Sequence, residues 1–232
     1  MNGTTTQQPN AFSLLCEGAA DQNFFKALSE KRGLPKFDYL DPSKHYGVTN
    51  FKTMLMAIQG NIKSFSTLNG VLILADSASN PAATFAGICA QIKAAGKKLP
   101  VPSDLSVTAR AHPATNAGMP AVRVMLVPGD DRPGCLETLC VEVLLEKNAW
   151  AEGCLDEYLS CGKSSAVTWS AEKLDKARYH CLVAALHRDD PSKAVSRAFG
   201  RSGTDSSQPL IDVTHPIFDS IAKRIQDFCG SL

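Results

Sequence analysis

VLILAD, Val71 to Asp76, decides the fold of this chain. Five consecutive apolar residues, with no polar residue at alternate positions, describe a strand covered on both faces. Such a strand belongs inside a parallel sheet, because the crossovers between parallel strands lay helices over both sides. The run ends in a carboxylate, Asp76. Pro81 then opens a stretch to about Lys93 that carries Phe85, Ile88, Cys89 and Ile92 at helical spacing.

The same rhythm extends toward the N-terminus. Asn69-Gly70 reads as a turn. Before it, Phe51, Met54, Leu55, Ile58 and Ile62 form an i, i+3, i+4, i+7 stripe, with Asn50 as a cap and His45 to Asn50 as a turn-rich connection. Lys36 to Leu40, KFDYL, reads as a short strand. From Asp21, the residues Phe24, Phe25 and Leu28 fall at helical spacing, and Gly33 is placed to end that helix. Ala11 to Leu15 is a short, bounded apolar run and reads as a buried strand; residues 1–10 read as a disordered tail. Strand and helix alternate throughout, which argues for a sheet with helices on both sides.

Toward the C-terminus the rhythm breaks over Gly96 to Pro120, where only Leu105 to Ala109 has the look of a strand. Ala121 to Val127, AVRVMLV, is a fourth clear strand. A PGDDRPG loop follows, then a helix with Leu136, Leu139, Cys140 and Val143 facing inward and Glu137 in its first turn. From about residue 151 the pattern is helical. Ser170 caps one helix, Pro191 starts a short one that ends near Gly200, RSGTDSSQ is a loop, and Thr214 caps the last helix. That last helix turns Ile217, Phe218, Ile221, Ile225 and Phe228 inward. The expectation is a single domain over residues 11–232. Its architecture is a three-layer α/β/α fold with a mainly parallel central sheet and a helical C-terminal portion.

Composition sets bounds on function. Of 232 residues, 44% are hydrophobic and 20% charged, and 24 basic side chains face 23 acidic ones for a net charge of +1. No global field draws the chain to nucleic acid or to a membrane surface, so any nucleic-acid contact must come from a local basic patch. No apolar run approaches the ~20 residues that span a bilayer. None of the 8 cysteines forms a CxxC pair, and Cys16 and Cys89 sit inside apolar runs, as buried reduced thiols do. The polar start MNGTTTQQPN has no signal-peptide pattern, and a cytoplasmic protein is expected.

Three carboxylates stand where chemistry is done in open α/β sheets. Glu17 follows the first strand, Asp76 ends the central one, and Glu137 lies ten residues past the fourth, at a helix start. A parallel sheet puts all strand C-termini on one edge and so brings the three toward one crevice. Hard oxygen ligands gathered there suit Mg²⁺, with Mn²⁺ as a substitute. Each acid also has a plain structural role available, as a turn residue, a cap, or, for Glu137, a partner of the helix dipole.

These motifs, taken in order, resemble the TOPRIM domain, an α/β module of topoisomerases, primases and related nucleases. LLCEGAAD resembles its first motif, with Glu17, Gly18 and Asp21 in place, and VLILADSASNP its second. MLVPGDDRPGCLETL and HPIFDSIAKRIQDF resemble segments of a group of small TOPRIM-like bacterial proteins. The resemblance implies Mg²⁺-dependent, nuclease-like chemistry on nucleic-acid phosphodiesters. Glu17 would be ligand or general base, Asp76 the main metal ligand, Glu137 a third ligand, and Asp21 part of the metal set. The sequence departs from the pattern at one point. The family's Asp-x-Asp pair reads here Asp76-Ser77-Ala78, without the second acid. A catalytically inactive binding or regulatory module on the same fold is therefore the alternative.

Two further groups of residues carry candidate chemistry. Lys163 to Arg201 carries eight basic residues against four acids; Lys173, Lys176, Arg178, Arg188, Lys193, Arg197 and Arg201 either line the crevice or form a solvated face. Lys176 and Arg178 are the expected phosphate partners. Cys154, Cys161, His180 and Cys181 have spacings that match no zinc-finger pattern.

Overall fold

The computed structural model describes residues 12–40, 51–60, 65–96, 99–110, 118–161, 168–187, 198–200 and 209–232. Strand β1 (Phe12–Leu15) leads into helix α1 (Ala19–Arg32), strand β2 (Asp38–Tyr39), helix α2 (Phe51–Gly60), strand β3 (Gly70–Asp76), helix α3 (Pro81–Ala95) and strand β4 (Ala121–Val127). Helices α4 (Leu136–Lys147), α5 (Trp150–Ser160) and α6 (Ala171–Leu186) follow, then a 3₁₀ turn (Pro216–Phe218) and α7 (Asp219–Gly230). The four strands form one sheet in the order β2-β1-β3-β4, and every pairing is parallel.

Period-two alternation in the strands builds two separate cores. Leu14, Leu72, Leu74, Met125 and Val127 point to one face and pack with Phe24, Phe25 and Leu28 of α1, and with apolar residues of α4, α5, α6 and α7. Leu15, Val71, Ile73, Ala75, Val122, Val124 and Leu126 point to the other and pack with α2 and α3. Burial on both faces makes VLILA apolar throughout, and the result is an α/β/α sandwich. The larger core draws on the C-terminal helices. Phe218 packs 5.0 Å from Phe24, and Phe228 lies 6.0 Å from Phe12, ring centre to ring centre. Arg32 ties the end of α1 to the same region, donating to the carbonyls of Val213 (3.0 Å) and His215 (2.9 Å) and pairing with Asp219 at 2.6 Å.

Local chemistry explains the helix limits. Gly33 adopts φ 61° at the end of α1, with its N–H bonded to the Ser29 carbonyl. Asn80 caps α3 by accepting the Ala83 N–H at 3.0 Å, with Pro81 as first helical residue. Ser170 caps α6 by accepting the Lys173 N–H at 3.4 Å.

The structure differs from the sequence expectations in four places. Lys36 to Leu40 contributes only two strand residues, because β2 is an edge strand with one short neighbour. Gly70 is the first residue of β3 and not a turn residue. Leu105 to Ala109 is not a strand. The Asp104 carboxylate accepts the Ser106 N–H at 2.8 Å and holds a turn, leaving one antiparallel bridge between Ala109 and Val122. Thr214 does not cap the last helix. Its hydroxyl and N–H both bond Asp212, at 2.6 and 2.9 Å, while His215 Nδ1 accepts the Ile217 N–H at the start of the 3₁₀ turn. The tail 1–10, the connection 45–50, Ile62, the helix from Pro191, the loop 201–208 and the basic residues Lys163, Arg188, Lys193, Arg197 and Arg201 lie outside the described residues.

Candidate functional site

The chain switches direction between β1 and β3. The segment after β1 feeds α1 on one face of the sheet, and the segment after β3 feeds α3 on the other. Their divergence opens a crevice at the C-terminal ends of the two central strands. Glu17 stands just past β1, and Asp76 is the last residue of β3. Asp21 sits in the first turn of α1 and accepts the Gly18 N–H at 2.8 Å. Helix α4 aims its N-terminus at the crevice, where the Leu136 N–H donates to Asp76 Oδ1 at 3.1 Å. Glu137 is in that first turn.

The fifth contributor is α6. Thr138 of α4 donates its hydroxyl to Asp175 at 2.6 Å and so docks α6 against the site. Lys176 then reaches Asp76 Oδ2 at 2.8 Å and Glu172 Oε1 at 2.9 Å, an i, i+4 pair on its own helix. Ligand atoms of Asp76, Cys135 and Glu137 lie within 4.8 Å of one another, the one such cluster among the described residues.

Crowding of half-buried acids shapes their protonation. Burial, then the charge of Asp76, pushes the Glu17 carboxyl up to about 7, against the pull of Lys176. Burial, then Asp76 and Glu137, pushes Asp21 up to about 7. Asp76 is raised by burial and held back by its bond to Lys176. For Lys176, burial favours the neutral amine, but the bonds to Asp76 and Glu172 prevail and raise its pKa. Burial pushes the Cys135 thiol up to about 12.

The loop after β3 explains what stands in place of a second acid. Ser77 is fully buried, and its hydroxyl lies 3.0 Å from the Val127 carbonyl, 2.6 Å from that of Arg132 and 3.2 Å from that of Gly134. Ala78 forms a two-way bridge with Gly134, its N–H bonding at 2.9 Å and its carbonyl at 2.8 Å. Residues 77 and 78 therefore stitch the PGDDRPG loop to the sheet edge.

Of the residues singled out in the sequence, Glu17, Asp21, Asp76, Glu137 and Lys176 come to this crevice. Lys176 arrives bound to carboxylates. Arg178 is paired with Asp156 of α5. Cys154, Cys161 and His180 are exposed, and no metal cluster forms among them and Cys181. All eight cysteines are free thiols. Two members of the site escaped the sequence reading. Glu172 carried a signal, its i, i+4 spacing to Lys176; Cys135 carried none, because its approach to Asp76 depends on how α4 docks.

The donor set fits a divalent cation. Carboxylate oxygens at this spacing can share one ion with ligand distances of about 2.0–2.6 Å. Cys135 lies beside them as a buried, protonated thiol, so the oxygen donors are the ones suited to a hard cation. A family described as a protein of unknown function, DUF3226, matches residues 11–228. No curated protein and no solved structure matches the chain. No described helix is long and apolar enough to cross a membrane.

Proposed function

We propose that this chain, which belongs to the DUF3226 family, binds a divalent cation, Mg²⁺ or Mn²⁺, at the C-terminal edge of its sheet and acts on phosphodiester bonds of nucleic acid. The observation that carries the reading is the convergence of the Asp76 and Glu137 carboxylates within 4.8 Å at the topological switch point, with Glu17 and Asp21 nearby. The TOPRIM resemblance of LLCEGAAD and VLILADSASNP supplies the reaction class. Asp76 and Glu137 hold the cation, with Asp21 and Glu17 flanking them. When bound, such an ion stabilises charge on phosphate oxygens and acidifies a bound water. Glu17, raised to about 7, is poised to accept a proton near neutral pH. Eight free thiols accord with a reducing cytoplasm.

The test is a thermal-shift titration. Mg²⁺ or Mn²⁺ should raise the melting temperature of the native chain, and Asp76→Ala should abolish the rise. An unmoved melting temperature in both metals rejects the metal site. Cleavage of single- and double-stranded substrates with each metal then tests the reaction class.

A second reading rests on its own observation. Lys176 already neutralises Asp76, and Ala78 stands where a second acid is expected. On that reading the fold is a binding or regulatory module, which binds nucleic acid through basic residues without any metal response.

A further inference from the structure

The acidic cluster already holds a cation of its own. Lys176 Nζ lies 2.8 Å from Asp76 Oδ2, while Asp76 Oδ1 accepts the Leu136 N–H at 3.1 Å. Both oxygens of the central ligand therefore have donors in the folded chain. The two donors differ in kind. The Leu136 N–H belongs to the backbone of the first turn of α4 and moves only with that helix end. Lys176 sits at the end of a flexible four-carbon stem whose side chain is 36% exposed, against 12% for Asp76. It can swing to solvent with no movement of backbone. Glu172, one turn earlier on α6, holds it from the other side at 2.9 Å. An ammonium and a dication cannot both sit against one carboxylate oxygen without strong like-charge repulsion.

We propose that Lys176 gates the site: a divalent cation reaches Asp76 only by displacing the Lys176 ammonium, which then turns outward. This rests on the metal-binding reading above and adds to it the order of events. The resting site is neutralised from within, and metal entry releases a cation at the mouth of the crevice.

Two measurements on the full-length chain test the gate. Mn²⁺ affinity is measured by calorimetry for the native chain, Lys176→Met and Lys176→Arg. Removing the resident charge should tighten Mn²⁺ binding by about tenfold or more, while the arginine variant stays at the native affinity or below it. Separately, acylation of Lys176 by an amine-reactive ester, read by mass spectrometry in the native chain, should rise at saturating Mn²⁺. The gate is overturned when Lys176→Met, folded by circular dichroism, binds Mn²⁺ no more tightly than the native chain. It is equally overturned when Mn²⁺ leaves Lys176 acylation unchanged or lowers it. The labelling arm decides alone where the methionine variant does not fold. Native binding with no tightening in Lys176→Met removes the gate and keeps the metal site; no binding by either chain removes both.

Discussion

At the scale of the residue, three positions carry unusual constraints of two kinds. Ala78 adopts φ 52°, a left-handed conformation that costs an L-residue with a Cβ roughly 1–2 kcal/mol. Glycine lacks that penalty but gains freedom in the unfolded chain, which offsets part of the relief. Ala78→Gly is expected to stabilise the protein by about 0.5–1 kcal/mol, read as a higher urea midpoint at unchanged slope. The second constraint is protonation. Glu17 and Asp21 rise from ordinary values of 4.5 and 3.8 to about 7 in the folded chain. Between those limits the native state binds more protons than the unfolded state. The contribution of these two groups to stability is therefore fullest below about pH 4, falls as pH rises toward 7, and levels off above it. Replacing both, as Glu17→Gln with Asp21→Asn, should flatten this slope and raise stability at pH 8 relative to pH 5; urea unfolding at the two pH values checks it. Residue identity was legible in the sequence for four of the acids, because each sits next to a strand end or helix start. Protonation was not, since it depends on how close the acids come across elements distant in the chain.

At the scale of the element, the informative contrast is between β3 and its flanks. VLILA announced a central strand correctly, yet Gly70 before it read as a turn and is instead the strand's first residue. Glycine stands there for a packing reason. A Cβ on Gly70 would lie 2.6 Å from Phe228 Cζ and 2.8 Å from Leu232 Cδ1, so α7 packs directly on the strand backbone. Gly70→Ala should cost about 1–3 kcal/mol by urea unfolding, and Phe228→Leu in the same chain should recover part of the loss. A loss no larger than that of an exposed alanine substitution would mean that α7 yields freely. The C-terminal boundary shows the same limit of sequence reading. Thr214 has the right residue type for a cap, but Asp212 takes its hydroxyl first, and a 3₁₀ turn intervenes before α7. Side chains that compete for the same hydrogen bond are separated only by the fold.

At the scale of the whole molecule, the sheet is one surface with two cores, and the larger depends on the far end of the chain. Phe218, Ile221, Ile225 and Phe228 are all buried to within 1% of full coverage. Each contributes roughly 1.5–3 kcal/mol of burial, together comparable to the 5–15 kcal/mol that holds a typical domain folded. A chain ending at residue 215 should therefore lose its cooperative urea transition; a sharp transition retained would make the C-terminal helix peripheral. By itself, the sequence determined the alternation of strands and helices, the parallel sheet, and the acids that follow three of its four strands, because periodicity and local chemistry are written into neighbouring residues. Only the tertiary structure decided that Cys135 and Glu172 join those acids and that Ser77 and Ala78 fasten a loop where a second acid was expected. It also decided that Lys176 lies on Asp76 and not open to a phosphate. These relations join residues up to 100 positions apart, and no local pattern encodes them. They arise because α4 and α6 dock on the sheet edge where the strands bring Glu17 and Asp76 together.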